Sequence, residues 1–97
     1  MKHAKEADVE EYVRKVFPVS AVLVTEENLE SAADFCAGEI RTTADGQRFI
    51  KVRVIRPTTA RQSRAFVGDW ILYSPITKGY KVYTESAFRS GFEKSKV

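Results

Sequence analysis

The sequence predicts a single α+β domain: an antiparallel β-sheet of about five or six strands, one packed helix over residues 26–37 and a short C-terminal helix. Three observations carry that prediction. One stretch has apolar residues at helical spacing between a capping residue and a glycine. Several short β-branched or aromatic runs are separated by Gly, Pro and Asp. The chain is 97 residues long, room for one domain and one modest core.

Residues 1–9 are polar, lack an apolar stripe and read as a loose N-terminal arm. Residues 9–16 fit two descriptions. Val9, Tyr12, Val13 and Val16 fall at helical spacing, yet the stretch leads into the β-branched run Phe17 to Thr25. In that run Phe17, Val19, Ala21 and Leu23 share one face, and Pro18 sits near the start, where a missing donor is tolerated.

Thr25 reads as an N-cap, with Glu26 and Glu27 at the positive end of the helix dipole. Leu29, Ala32, Ala33 and Cys36 then recur at i, i+3, i+4 and i+7. Gly38 stands where a left-handed residue would end the helix. Cys36 belongs to the apolar stripe and is expected as a small core residue, not a nucleophile.

A hairpin follows: a strand over 39–43, a turn at Ala44-Asp45-Gly46-Gln47 and a strand over 48–55 ended by Arg56-Pro57. Ile50, Val52 and Val54 alternate with Lys51 and Arg53, which predicts one buried and one basic face. Residues 58–63 form a loop or short turn. The runs 64–67 and 70–73 are two strands, or one bent strand, around Gly68-Asp69. There Gly68 permits positive φ and Asp69 can bond its own backbone. Residues 80–83 form a further strand. Thr84 caps a short helix in which Phe88 and Phe92 are i, i+4 neighbours, and residues 94–97 are expected to fray. Trp70, the only Trp, is expected to anchor the core.

Composition excludes much chemistry. One Cys and one His cannot supply a closed zinc site or an internal disulfide. His3, in the arm, is poorly placed as a general base, and no phosphate-loop, dinucleotide or metalloprotease motif occurs. The chain therefore reads as a non-enzyme with no catalytic residue, no metal and no cofactor. The longest apolar run, Ala21 to Val24, cannot cross a bilayer, and residues 1–15 lack a signal-peptide core.

Charge is segregated. Residues 1–40 carry four basic and nine acidic side chains, while residues 41–64 carry seven basic and one acidic. The basic set predicts an anion-binding face built from Arg41, Lys51, Arg53, Arg56, Arg61 and Arg64, with Arg53 at its centre. Counter-charge from Glu26, Glu27, Glu30 and Asp34 is the competing arrangement, within one chain or between copies. Opposed charges and sheet edges also predict a homo-oligomer.

Together these stretches resemble a known group. They are Tyr12 to Lys15, the Val-rich strand running into Thr25-Glu26-Glu27-Asn28, the helix ending at Gly38, Gly68-Asp69-Trp70-Ile71, Gly79-Tyr80-Lys81-Val82-Tyr83 and Phe88 to Glu93. The chain resembles small accessory proteins, mostly of unassigned role, of tailed bacteriophages and prophages, notably those of actinobacteria. It departs from many of them in having Val67 where they have Pro, and in its longer middle, 39–64. The resemblance implies a phage product acting in the cytoplasm of the infected host, and it assigns no catalytic residue. Expected partners are an anionic small ligand, such as a phosphate-bearing signal molecule, or an acidic host protein, such as a defence factor, that the chain blocks or sequesters. Two alternatives stand beside that reading: nucleic-acid binding through the hairpin, where Arg48, Phe49, Lys51 and Arg53 interleave aromatic and basic residues, and a virion assembly role.

Overall fold

The computed structural model describes residues 9–14 and 17–94. Among the described residues, two antiparallel sheets and two helices make up an α+β fold. The strands are β1 (Glu10–Arg14), β2 (Phe17–Leu23), β3 (Glu39–Thr42), β4 (Arg48–Lys51), β5 (Arg64–Phe66), β6 (Trp70–Ser74), β7 (Gly79–Tyr83) and β8 (Glu93–Lys94). The helices are α1 (Leu29–Cys36) and α2 (Glu85–Gly91), and a 3₁₀ turn spans Ala60–Ser63. The larger sheet has the order β7-β6-β2-β1-β8, and the smaller is β3-β4-β5.

The sheet count corrects the sequence expectation of one sheet with five or six strands. Eight strands divide into two sheets because the chain turns between β5 and β6. Gly68 has φ +99°, and the Phe66 N–H donates to Asp69 Oδ2 at 3.0 Å. That corner sends β5 into the small sheet and β6 into the large one. The ambiguous stretch 9–16 is a strand as far as residue 14, paired with β2 from Glu10↔Ala21 to Arg14↔Phe17. Residues 1–8, 15, 16 and 95–97 lie outside the described residues, and with them most of the expected arm and frayed end. Val9 packs half-buried against the core, and Lys94 belongs to β8.

Helix α1 is shorter than the expected 26–37. Thr25 and Asn28 exchange hydrogen bonds: the Thr25 N–H donates to Asn28 Oδ1 at 2.8 Å, and the Asn28 N–H donates to Thr25 Oγ1 at 3.2 Å. Asn28 also donates its side-chain amide to the Leu23 carbonyl at 2.8 Å. These bonds hold residues 26–28 in a bend, so the first helical residue is Leu29. At the other end Ala37, not Gly38, takes the left-handed conformation, with φ 54°.

Elements pack on both faces of the large sheet, on the second over only part of it. The row Val22, Ile71 and Val82 faces α1 and the inner side of the small sheet, where Ile50 and Ala65 are fully buried. Burying each such aliphatic side chain stabilises by about 1.5–3 kcal/mol. On the opposite face Val19, Ala21, Leu72 and Trp70 meet Phe88 and Phe92 from α2 and its C-cap. Cys36 sits in the first cluster, and burial pushes its thiol up to about 11, which makes it inert.

Trp70 anchors the second cluster, as expected from the sequence. It is 5% exposed and stacks on Phe88 at 4.1 Å, and Phe88 stacks on Phe92 at 5.0 Å. Its indole N–H donates to Glu85 Oε1 at 2.6 Å, and Arg89 Nε donates to Glu85 Oε2 at 2.7 Å. Trp70→Ala is expected to destabilise the fold by roughly 3–5 kcal/mol, measured by denaturant unfolding. The indole hydrogen bond, and then Arg89, hold the Glu85 carboxyl below the usual carboxylate range. Its contribution to stability is therefore complete above that range and fades as pH falls through the lowered value. Glu85→Gln should remove that step from a plot of melting temperature against pH, while parallel curves would count against it.

Candidate functional site

The outer face of the small sheet presents two cross-strand rows. One is Arg41, Phe49 and Phe66; the other is Glu39, Lys51 and Arg64. The Asp45-Gly46 turn sets this register: the Gly46 N–H donates to the Thr43 carbonyl at 3.0 Å and the Thr43 N–H to the Gln47 carbonyl at 2.8 Å. Strand β4 stops at Lys51, short of the expected 55. The Val52 N–H instead donates to the Ser63 carbonyl at 2.9 Å, and Val54 bridges to Tyr80 in parallel. The chain thus leaves the small sheet to run beside the edge of the large one.

Three of the six expected cations come together. Arg41, Lys51 and Arg53 line a polar cleft of about 220 Å³, together with Glu39 and the backbone of Ala37 and Gly38 at the end of α1. Arg41 grips Glu39 through Nε at 3.0 Å and through one guanidinium nitrogen at 2.6 Å. That contact, then the nearby Arg41 charge, holds the Glu39 carboxyl below its ordinary range, with a smaller contribution from Lys51. Both partners are exposed, so the pair is weak and an incoming anion can compete for Arg41. Lys51 and Arg53 make no ion pair among the described residues. The cleft therefore carries three positive charges against one negative.

The other three serve differently. Arg61 pairs with the buried Asp69 at 2.8 Å, donates to the Arg64 carbonyl at 2.8 Å and lies over the Phe66 ring at 5.1 Å. Arg64 lies over the Phe49 ring at 5.4 Å. These two guanidiniums roof the aromatic pair, whose centroids are 5.1 Å apart. Arg56 is exposed, sits in a left-handed conformation with φ 54° and does not line the cleft. The expected stacking platform for bases is closed, because Phe49 is only 7% exposed.

Sequence reasoning missed Glu39 and the reason for Gly38. A Cβ at Gly38 would stand 2.5 Å from the Lys51 carbonyl oxygen, 2.9 Å from Ile50 Cγ2 and 3.0 Å from Cys36 Sγ. Glycine lets the end of α1 abut β4 and so forms the cleft wall. His3 lies outside the described residues, and no group of three or more metal-ligating side chains forms among the described ones. No described helix is long and apolar enough to cross a membrane. No protein-family model, curated protein or solved structure matches this chain.

Gly38→Ala should separate α1 from β4. Restricting the unfolded chain would by itself stabilise the protein by about 0.4–1 kcal/mol. The backbone clash should outweigh this, costing roughly 1–3 kcal/mol. Denaturant unfolding checks the sign, and a stabilised variant would show that the wall gives way freely.

Proposed function

We propose that the chain is a non-enzymatic accessory protein of a tailed phage or prophage that binds, and so blocks or sequesters, an anionic component of the host cytoplasm. One observation carries the binding reading: Arg41, Lys51 and Arg53 converge on one cleft in which Glu39 is the only acid. Arg41 and Arg53 offer planar donor forks suited to phosphate or carboxylate, and Lys51 adds a point charge. Arg61 acts indirectly by tying the roof of the outer face to Asp69. Arg64 and Arg56 extend the positive field around the cleft.

Two of these cations have acidic partners within the chain, Arg41 with Glu39 and Arg61 with Asp69, but the acids of residues 26–34 supply neither. Glu26, Glu27, Glu30 and Asp34 form no ion pair among the described residues. Helix α1 packs on the inner side of the small sheet, so its carboxylates lie away from the basic face. The same separation leaves those carboxylates free to meet the basic face of a second copy of the chain, in a homo-oligomer.

The test is titration with pyrophosphate, a cyclic dinucleotide, polyglutamate, and single- and double-stranded DNA across a salt series. A cleft ligand should saturate at one site per chain. Length-dependent binding with a steep salt slope would favour nucleic acid instead. Lys51→Glu with Arg53→Glu should leave the melting temperature nearly unchanged, because exposed charges contribute about 0–1 kcal/mol. It should also abolish binding. Full binding by that folded double variant would defeat the proposal and shift attention to the Gly68–Tyr73 corner.

A further inference from the structure

A larger concavity than the basic cleft lies elsewhere and shares no lining residue with it. Helix α2 covers only part of the second face of the large sheet. Beside it, Val19, Leu72, Tyr83 and Phe92 floor an apolar groove of about 400 Å³ walled by Ile55 and Ile76. The walls are built into the fold. Val54 bridges to Tyr80, which carries Ile55 along the β7 edge. Ile55 lies close over Gly79, where a Cβ would stand 3.1 Å from Ile55 Cδ1. Ile76 is held up by the 75–78 turn, closed by the Lys78 N–H donating to the Ser74 carbonyl at 2.7 Å.

Ile55 and Ile76 are 62% and 58% exposed, uncommon for large aliphatic side chains facing one another across an apolar floor. A small ligand is normally enclosed by its pocket, whereas these walls stand open to solvent. Covering both at once requires a protein surface. Charge then selects its kind. The two segments that raise the walls, 54–57 and 74–83, carry Arg56, Lys78 and Lys81 and no acidic residue. A second copy docked by two-fold symmetry would bring these cations together, which opposes self-association here.

We propose that the groove docks an acidic amphipathic segment of another protein, with apolar side chains between Ile55 and Ile76 and carboxylates against Lys78 and Lys81. The proposal does not depend on the basic cleft, and the Lys51→Glu, Arg53→Glu variant should retain it.

The experiment is a two-dimensional amide NMR titration with three synthetic peptides of equal length. The first has Leu at i, i+3, i+4 and i+7 with Glu elsewhere; the second replaces Glu by Lys; the third scrambles the first. The first should shift the amides of Leu72, Ile76, Lys81 and Tyr83 saturably. Binding should weaken by about tenfold or more in Lys78→Glu with Lys81→Glu, and equally in Ile55→Glu with Ile76→Glu. Those side chains are exposed, so both variants should keep the wild-type melting temperature. Four results would overturn the proposal. They are no shift at millimolar peptide, equal binding of the Lys or scrambled peptide, shifts by decanoate but not by the acidic peptide, and a dimer that Ile76→Glu dissolves. The last two would assign the groove to a small amphiphile or to a second copy.

Discussion

The Asp69 carboxylate is the joint on which the two sheets turn. It is buried, accepts the Phe66 N–H and pairs with Arg61. Around it the Val24 N–H donates to the Asp69 carbonyl, and the Gly68 N–H donates to the Val24 carbonyl, each at 2.9 Å. A charge in that position is tolerated only because a guanidinium and a backbone donor face it. The bonds lock the end of β5 to the start of β6 and both to the end of β2. The angle between the sheets follows from this, and with it the room for α1. Arg61 then serves two ends: it satisfies the joint, and it roofs the aromatic pair on the outer face.

Legibility in the sequence tracked the range of the interaction responsible. The Asp45-Gly46 turn, the Gly68-Asp69 corner, the Thr84 cap and the apolar stripe of α1 are local, and each occurs where its residues indicate. Thr84 Oγ1, for example, accepts the Ala87 N–H at 3.3 Å. The division into two sheets was not legible, because alternation within a strand says nothing about which neighbour it pairs with. The early end of β4 is similar: Val52 and Val54 keep the alternating pattern, but their partners are Ser63 and Tyr80, far along the chain. Gly38 looked like a helix terminator from its position, yet its requirement comes from the carbonyl of Lys51 across the fold.

The candidate site shows the same boundary. The nearness of Arg41 and Lys51 followed from hairpin geometry, which sequence could supply, whereas Arg53 reaches the same cleft from beyond the end of β4. The use of Arg61 and Arg64 as covers for Phe66 and Phe49 could not be read in advance, since a charge count does not distinguish a guanidinium lying on a ring from one free to bind. A strand with basic and aromatic residues on one face can be a stacking platform or a capped hydrophobic row. What decides is the exposure of the rings, and here the rings are covered.

The two concave surfaces are opposite in chemistry for a structural reason. The small sheet is only three strands wide, so one face is spent on α1 and the other is left thin enough to carry charge over a single aromatic pair. The large sheet has apolar residues on both faces, and α2, at seven residues, is too short to cover the second. Its uncovered remainder stays apolar, because Val19 and Leu72 also pack beneath α2's aromatic stack and cannot become polar without loosening it. The groove is thus the exposed margin of a core layer, and the basic cleft is a surface built over a finished one. Changes at the cleft should therefore move binding with little effect on folding, whereas changes to the groove floor reach the Trp70 cluster, and only its walls, Ile55 and Ile76, can vary independently of the fold.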